Sequence, residues 1–379
     1  MDDILAYARS KQDDIITFLR QLVECESPSD NPAAVNRFVD LVASRSAGLA
    51  NVRTFPGGRF GKHVQLEFLL PGDKKSGQIL ALGHSDTVWP MGTIKAMPFR
   101  QEKGRVWGPG VLDMKSGIAF FFFAMQAIRD LRLETKRRVV LQLNSDEEVG
   151  SDSSRALTEK EAKKSKAVLV LEPGTGLEGK LKTARKGVGS YEVVVHGKAA
   201  HAGVDFDAGA SAIVELAWQI STIAEFTDAK KGITVNPGVI SGGTRSNVIA
   251  AEARTDVDIR IAKLKDAAGL DKKFKSLKPM DKRCRITVKG GLNRPPMERT
   301  EAVAALFLKA KKLAAEMGVK IDESMTGGGS DGNFTAAMGV ATLDGLGGVG
   351  EGAHANHESI LIDRIADRTA LLAKLVLAI

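Results

Sequence analysis

Acids and imidazoles recur in this sequence at one kind of place, the end of an apolar run. The run "ILALG" stops on His84 and, two residues later, on Asp86. "GPGVLDMKSG" sets Asp113 in a glycine-flanked turn, "VVLQLN" leads into "SDEEVGS" with Glu147 and Glu148, and "AVLVLE" ends on Glu172. Near the C-terminus, "GEGAHANHESI" supplies His354, His357 and Glu358. A lone His-x-Asp arises by accident wherever a strand meets solvent in a polar loop. Five such segments in one chain need another cause. Imidazoles and carboxylates without a thiolate make a donor set for Zn²⁺, with Mn²⁺ or Co²⁺ as substitutes. Two ions sharing a carboxylate would each need about four ligands, and a water between them would become a nucleophile near neutral pH. That chemistry also requires a carboxylate free of metal as general base. The adjacent Glu147 and Glu148 can divide those two tasks.

The elements that must position these residues follow from hydrophobic periodicity. A helix near 11–24 precedes strands at 64–70, 79–83, 139–144 and 167–171, with the apolar helix 117–130 among them. Such alternation predicts an α/β fold, a mostly parallel sheet with helices on both faces, whose ligands bind beyond the carboxyl ends of the strands. Residues 190–290 have a different pattern: strand "YEVVVHG", helix 208–226, strands 233–240 and 253–261, a lysine-rich helix 264–278, and strand "CRITVKG". That order is βαββαβ, the split-βαβ layout of a ferredoxin-like α+β unit. The α/β pattern then resumes with helices at 301–317 and 362–378. The expected organisation is therefore a catalytic domain over 1–185 and 293–379, interrupted by an inserted unit over 186–292.

Composition narrows the class. With 379 residues, 43% hydrophobic and 26% charged, the chain has the balance of a soluble globular protein. No uncharged apolar stretch reaches 18 residues, and the acidic, amphipathic N-terminus is unlike a signal peptide, so no membrane partner is expected. Cys25 and Cys284 form no disulfide or metal pattern, which points to the reducing cytoplasm, or to the periplasm if a leader has been removed. Residues 261–294 hold eleven Lys or Arg against three Asp, and the whole chain carries +8. Without aromatic interleaving this segment is a solvated face that attracts small anions, with no nucleic acid expected as a partner. The loop "TGGGSDGN" lacks the GK[ST] of a phosphate-binding loop, which excludes nucleotide binding.

The motifs "GHSDTVWP", "GPGVLDMKSG", "NSDEEVGS", "LEPG", "GKAAHAG" and "TGGGSDGN" together resemble the di-zinc glutamate carboxypeptidase and aminoacylase family of metallopeptidases. The resemblance runs the length of the chain, insertion included, and is strongest to the carboxypeptidase G2 type, which cleaves C-terminal glutamate from folates. It implies two Zn²⁺ per subunit. His84 and Glu172 would hold one and Glu148 and His354 the other, with Asp113 bridging them beside a cis peptide to Met114. It implies Glu147 as general base and Asp86 as the residue that orients the His84 ring. Between His354 and His357, the spacing from "TGGG" and Glu358 four residues on favour His354. The inserted unit becomes a dimerisation and lid domain, from which His201 of "KAAHAG" would reach the partner subunit's scissile carbonyl. Asn247 and Arg260 match positions that bind the substrate's α-carboxylate, Lys180 and Arg294 match cations for a glutamate side chain, and Gly329 would offer main-chain N–H groups.

The function expected is release of a C-terminal amino acid, glutamate foremost, from an N-acyl or peptidyl substrate by a homodimer. An N-acyl amino acid deacylase of the same mechanism is the alternative, and a binding protein that kept the fold without its chemistry is a third reading. The presence of Glu147 and all five metal positions argues against the last.

Overall fold

The computed structural model describes residues 2–379, and the chain divides into two units. The first comprises Met1–Ala184, Arg299–Met325 and Ser330–Ile379; the second comprises Arg185–Glu298 and Thr326–Gly329. The second unit extends past the boundary expected at 292. Its entering and leaving segments are joined, because Arg185 and Met297 exchange main-chain hydrogen bonds of 2.9 and 3.0 Å. Lys186 N–H also donates to the carbonyl of Thr326 at 3.0 Å, drawing in the 326–329 segment.

In the first unit a six-stranded sheet has the spatial order Ala50–Pro56, Lys62–Phe68, Arg138–Asn144, Gln78–His84, Ser165–Val170, Thr342–Leu343. The first three strands pair antiparallel and the last four parallel. Every residue of Gln78–His84 is buried, as a parallel strand covered on both faces requires. Ile79 and Ala81 face the larger core, while Leu80 and Leu82 pack with Ala162, Val168 and Val170 on the other side. Register matters most here: His84 lies opposite Asn144 and Leu82 opposite Val170. The three strands therefore end nearly level, and the segments carrying Asp86, Glu147, Glu148 and Glu172 leave the sheet along one edge.

The helix Ser116–Asp130 buries Phe120, Phe121, Phe122 and Phe123. Phe121 and Phe122 meet Phe68 edge-on at 5.6 and 5.8 Å, and Phe18 approaches Phe122 at 5.3 Å. A helix apolar on all sides has to be enclosed on all sides. The segment Val111–Asp130 is long and apolar enough to cross a membrane, but most of it is buried in the core of this unit.

The second unit is a four-stranded antiparallel sheet in the order Thr234–Gly242, Glu252–Ile261, Gly187–His196, Arg285–Arg294. With helices Ala212–Ala224 and Ala267–Lys275 its chain order is βαββαβ, as the periodicity predicts. Tyr191, Val193, Val257 and Ile259 form the covered face, where Tyr191 stacks on Phe274 at 3.9 Å.

Helix boundaries are shorter than expected. The 208–226 helix is Ala212–Ala224, preceded by a 3-10 turn at Phe206–Ala208 and capped by Ser211, whose hydroxyl accepts Val214 N–H. Such a cap satisfies an orphan donor and stops the helix from extending backwards. The 264–278 helix is Ala267–Lys275, and the closing helix starts at Ile365 after a 3-10 turn. The strand Ala50–Pro56 carries no apolar alternation, and main-chain pairing to Lys62–Phe68 alone defines it.

Candidate metal centre

Five of the residues singled out in the sequence meet at the carboxyl edge of the parallel strands. His84 closes its strand and is buried. Its Nδ1 lies 2.8 Å from the main-chain carbonyl of Asp86. A carbonyl only accepts, so Nδ1 carries the proton and Nε2 is presented to the cluster. Nε2 is 3.2 Å from Asp113 Oδ1 and 3.6 Å from Glu172 Oε1. The second oxygen of Asp113 lies 3.2 Å from His354 Nε2, which in turn is 3.4 Å from Glu148 Oε1. Two triads result, His84–Asp113–Glu172 and Asp113–Glu148–His354, each with donor atoms within 4.8 Å of one another. Asp113 belongs to both. It sits in a tight turn entered through Gly110, at φ 72°, where a Cβ would come within 2.9 Å of the Thr87 methyl. The Asp113–Met114 peptide bond is cis.

The spacing within each triad suits a small divalent ion. Donors about 2.1 Å from a tetrahedral centre stand about 3.4 Å from one another, and the four imidazole–carboxylate distances here run from 3.2 to 3.6 Å. Charge points the same way. Burial disfavours a protonated His84, yet its bonds to Asp113, Asp86 and Glu172 raise its pKa well above the ordinary value. Pairing with Asp113 and Glu148 takes His354 up to about 10. Burial pushes the Asp113 carboxyl up, but His354 and His84 together hold it far below the usual carboxylate range. At Glu148 burial prevails and the pKa is raised. Three carboxylates thus impose a negative potential strong enough to draw protons onto two imidazoles, and divalent cations meet the same potential without protons.

Asp86 meets this centre through both its main chain and its carboxylate. Its main-chain carbonyl orients the His84 ring, while its Oδ1 is 3.5 Å from Nδ1. The carboxylate also accepts the N–H groups of Glu147 and Glu148, both at 3.2 Å, and the Ser29 hydroxyl at 2.8 Å. It therefore anchors the turn Glu147–Val149 against the end of the His84 strand. Ser29 is not legible in the sequence, since nothing in "SPSDNP" marks a partner 57 residues away.

His357 is exposed, whereas His354, at φ 61°, turns its ring into the cluster. Lys180 lines a groove with Asp322, Lys320 and Arg364 that includes none of the five clustered residues. In the second unit, His201 is exposed with Nδ1 accepting Gly203 N–H at 3.1 Å, and Asn247 lies beside it through Ala202 N–H donating to the Asn247 carbonyl. Arg260 does not present an open fork: it grips Asp258 in two places at 2.9 and 2.8 Å and donates to Gly327 O at 3.3 Å. The two residues stand two apart on the same strand face, so their pairing is local. Arg294 is buried. A Cβ at Gly329 would come within 2.8 Å of Val188 and 3.0 Å of the Arg294 side chain, so only glycine fits. Arg185, unmarked in the sequence, donates to the carbonyls of Gly328 and Gly329 at 3.1 and 3.0 Å and shapes that loop.

The chain is similar to known proteins in sequence and in fold. Residues 80–378 match the family model described as Peptidase family M20/M25/M40. Carboxypeptidase G2 of Pseudomonas sp. (strain RS-16) is 28% identical over 398 residues, covering 99% of this chain and 92% of that protein. Aminopeptidase PepT from Bacillus cereus ATCC 10987 superposes with a TM-score of 0.78 at 20% identity, covering 96% of this chain and 98% of the other. The Bacillus subtilis YXEP protein, described as a dinuclear metal binding peptidase, superposes with a TM-score of 0.67 at 15% identity, covering 98% and 99%. The family match covers most of the chain and contains both triads: this protein is a hydrolase belonging to Peptidase family M20/M25/M40.

Proposed function

We propose that the chain is a dinuclear, zinc-dependent exopeptidase that releases a C-terminal amino acid, glutamate by preference, from N-acyl or peptidyl substrates. The observation that carries this reading is the pair of triads sharing Asp113, with donor spacings of 3.2 to 3.6 Å. His84 and Glu172 would hold one ion, Glu148 and His354 the other. Divalent ions there supply Lewis acidity toward a water and the scissile carbonyl. Glu147, held on its turn by Asp86, takes the proton of the attacking water and delivers it to the departing amine. His201 donates to the carbonyl oxygen from the partner of a homodimer. Asn247 and the Gly329 loop receive the α-carboxylate, and Arg294 receives a second carboxylate. Arg260 joins them only by parting from Asp258, and Lys180 has the weakest support, since it lines a separate groove.

The test is removal of metal by a chelator followed by Zn²⁺ readdition, alongside Glu147→Gln. Activity is expected to vanish and return, and the variant is expected to keep its metal while losing at least ~10²-fold in turnover. A fully active metal-free protein would end this reading. The position of Lys180, in a groove that includes none of the five clustered residues, favours a second one, a deacylase indifferent to acidic side chains. A charge-assisted hydrogen bond contributes ~1.5–3 kcal/mol, so glutamate specificity predicts roughly 10- to 100-fold higher kcat/KM for N-acyl-Glu than for N-acyl-Gln. A ratio near one promotes the deacylase.

A further inference from the structure

We infer that Glu358 is a positioning residue of the metal centre: its carboxylate ties together the loop that follows His84, the turn of Asp113 and the loop of His354, and thereby sets the affinity for divalent ions. The inference rests on the metal-centre reading above. Glu358 is 1% exposed, and water cannot replace its partners. Oε1 accepts the N–H groups of Leu112 at 2.9 Å and of Asp113 itself at 3.0 Å. Oε2 accepts Gly110 N–H at 2.8 Å and the indole N–H of Trp89 at 2.8 Å. All four partners are donors only, so the clamp needs a carboxylate with all four of its acceptor sites available.

The clamp is itself anchored. Glu358 immediately precedes the strand Ser359–Leu361, which pairs antiparallel with Arg105–Trp107, and its N–H donates to Ala355 O at 2.9 Å within the His354 loop. One side chain thus fixes the turn that aims Asp113, the loop that follows His84, and the base of the loop that turns His354 inward. Because Asp113 belongs to both triads, a small shift of its turn loosens both at once. Outer partners of metal ligands contribute 10- to 100-fold in metal affinity.

A matched comparator exists in the second unit. Glu215 is 2% exposed and its carboxylate accepts from the Gln219 side chain and from the N–H groups of Met280 and Asp281. None of those partners belongs to the metal triads.

The experiment titrates chelator-stripped full-length protein with Zn²⁺ against a chromophoric chelator, with the thermal midpoint of each apoprotein measured in parallel. Glu358→Gln puts an amide N–H₂ against two N–H donors and is expected to weaken Zn²⁺ binding about 10- to 100-fold. Trp89→Phe removes one donor and leaves the carboxylate in place, and is expected to fall between Glu358→Gln and wild type. Glu215→Gln is expected to lower the apoprotein midpoint and leave Zn²⁺ affinity unchanged. Wild-type protein that binds no Zn²⁺ would remove the metal-centre reading itself. Wild-type binding matched within twofold by Glu358→Gln overturns the role of Glu358 alone, as does an equal loss in Glu215→Gln. If Glu358→Gln does not fold, Trp89→Phe with wild-type affinity overturns it.

Discussion

Single residues in the centre are distinguished by which atoms they offer rather than by type. His354 and His357 lie three apart in one loop, yet only His354 reaches Asp113 and Glu148. His354→Ala is therefore expected to cut the bound metal toward one ion per chain, measured by elemental analysis of purified protein, while His357→Ala retains the full complement. The reverse pattern would reassign the ligand. Asp86 shows the same principle: its main-chain carbonyl sets the His84 tautomer and its carboxylate holds the Glu147 turn. A neutral Asn at position 86 keeps the first contact and weakens the second. Asp86→Asn is expected to lower kcat more than metal content, read from turnover and metal analysis on the same preparation.

At the scale of elements, the turn after the strand Arg138–Asn144 is braced from beneath. His63 is buried; its Nδ1 accepts Ser145 N–H at 3.1 Å, and its Nε2 lies 3.1 Å from the Ser153 hydroxyl. A ring protonated on both nitrogens would turn Nδ1–H against the Ser145 N–H. Burial accordingly lowers the pKa of His63 below its ordinary value, although the carboxylates of Asp146, Asp331 and Asp86 oppose the shift. A histidine with a lowered folded pKa binds its proton more readily in the unfolded chain. Its contribution to stability is thus intact above the unfolded value of about 6.5 and declines as pH falls toward the folded pKa. Denaturant midpoints measured between pH 8 and 5 are expected to fall more steeply in wild type than in His63→Gln. Equal slopes would show that the loss lies in other groups.

For the molecule as a whole, the dimer proposal rests on the outer face of the helix Ala212–Ala224. Helical spacing within 208–226 marks Ile213, Leu216, Ala217 and Ile220 as the face expected to pair with a second copy. Leu216 is instead buried in the second unit's own core and Ile220 packs against it, because those positions cover the sheet. Ile213, Val214 and Trp218 stay 43%, 58% and 57% exposed, and the sheet's edge strand exposes Val239 and Ile240. An open edge flanked by an apolar helix face is a template for a second copy. Sedimentation of Trp218→Glu is expected to show monomers where wild type gives dimers. Mixed dimers of His201→Ala and Glu147→Gln chains are expected to regain activity that neither parent shows. No recovery would place His201 in its own subunit's chemistry or outside it.

The alternation of strands and helices, the βαββαβ order of the second unit and the largely buried helix Ser116–Asp130 were legible in the sequence. Each is a matter of period and local apolarity, and a strand's end is marked where its apolar run stops. The set of acids and imidazoles at those ends was legible for the same reason. Choices between chemically similar groups depend on contacts between distant segments, and no local pattern encodes them. The Glu358 carboxylate meets the Asp113 amide across 245 positions of chain. Arg260, with a carboxylate two residues away, closes on Asp258, so a position that suggests substrate binding holds a local ion pair. Folding decided which histidine turns inward, which atoms of Asp86 face which neighbour, and which side of a helix remains exposed. Those outcomes depend on register and packing, which exist only once the strands lie side by side.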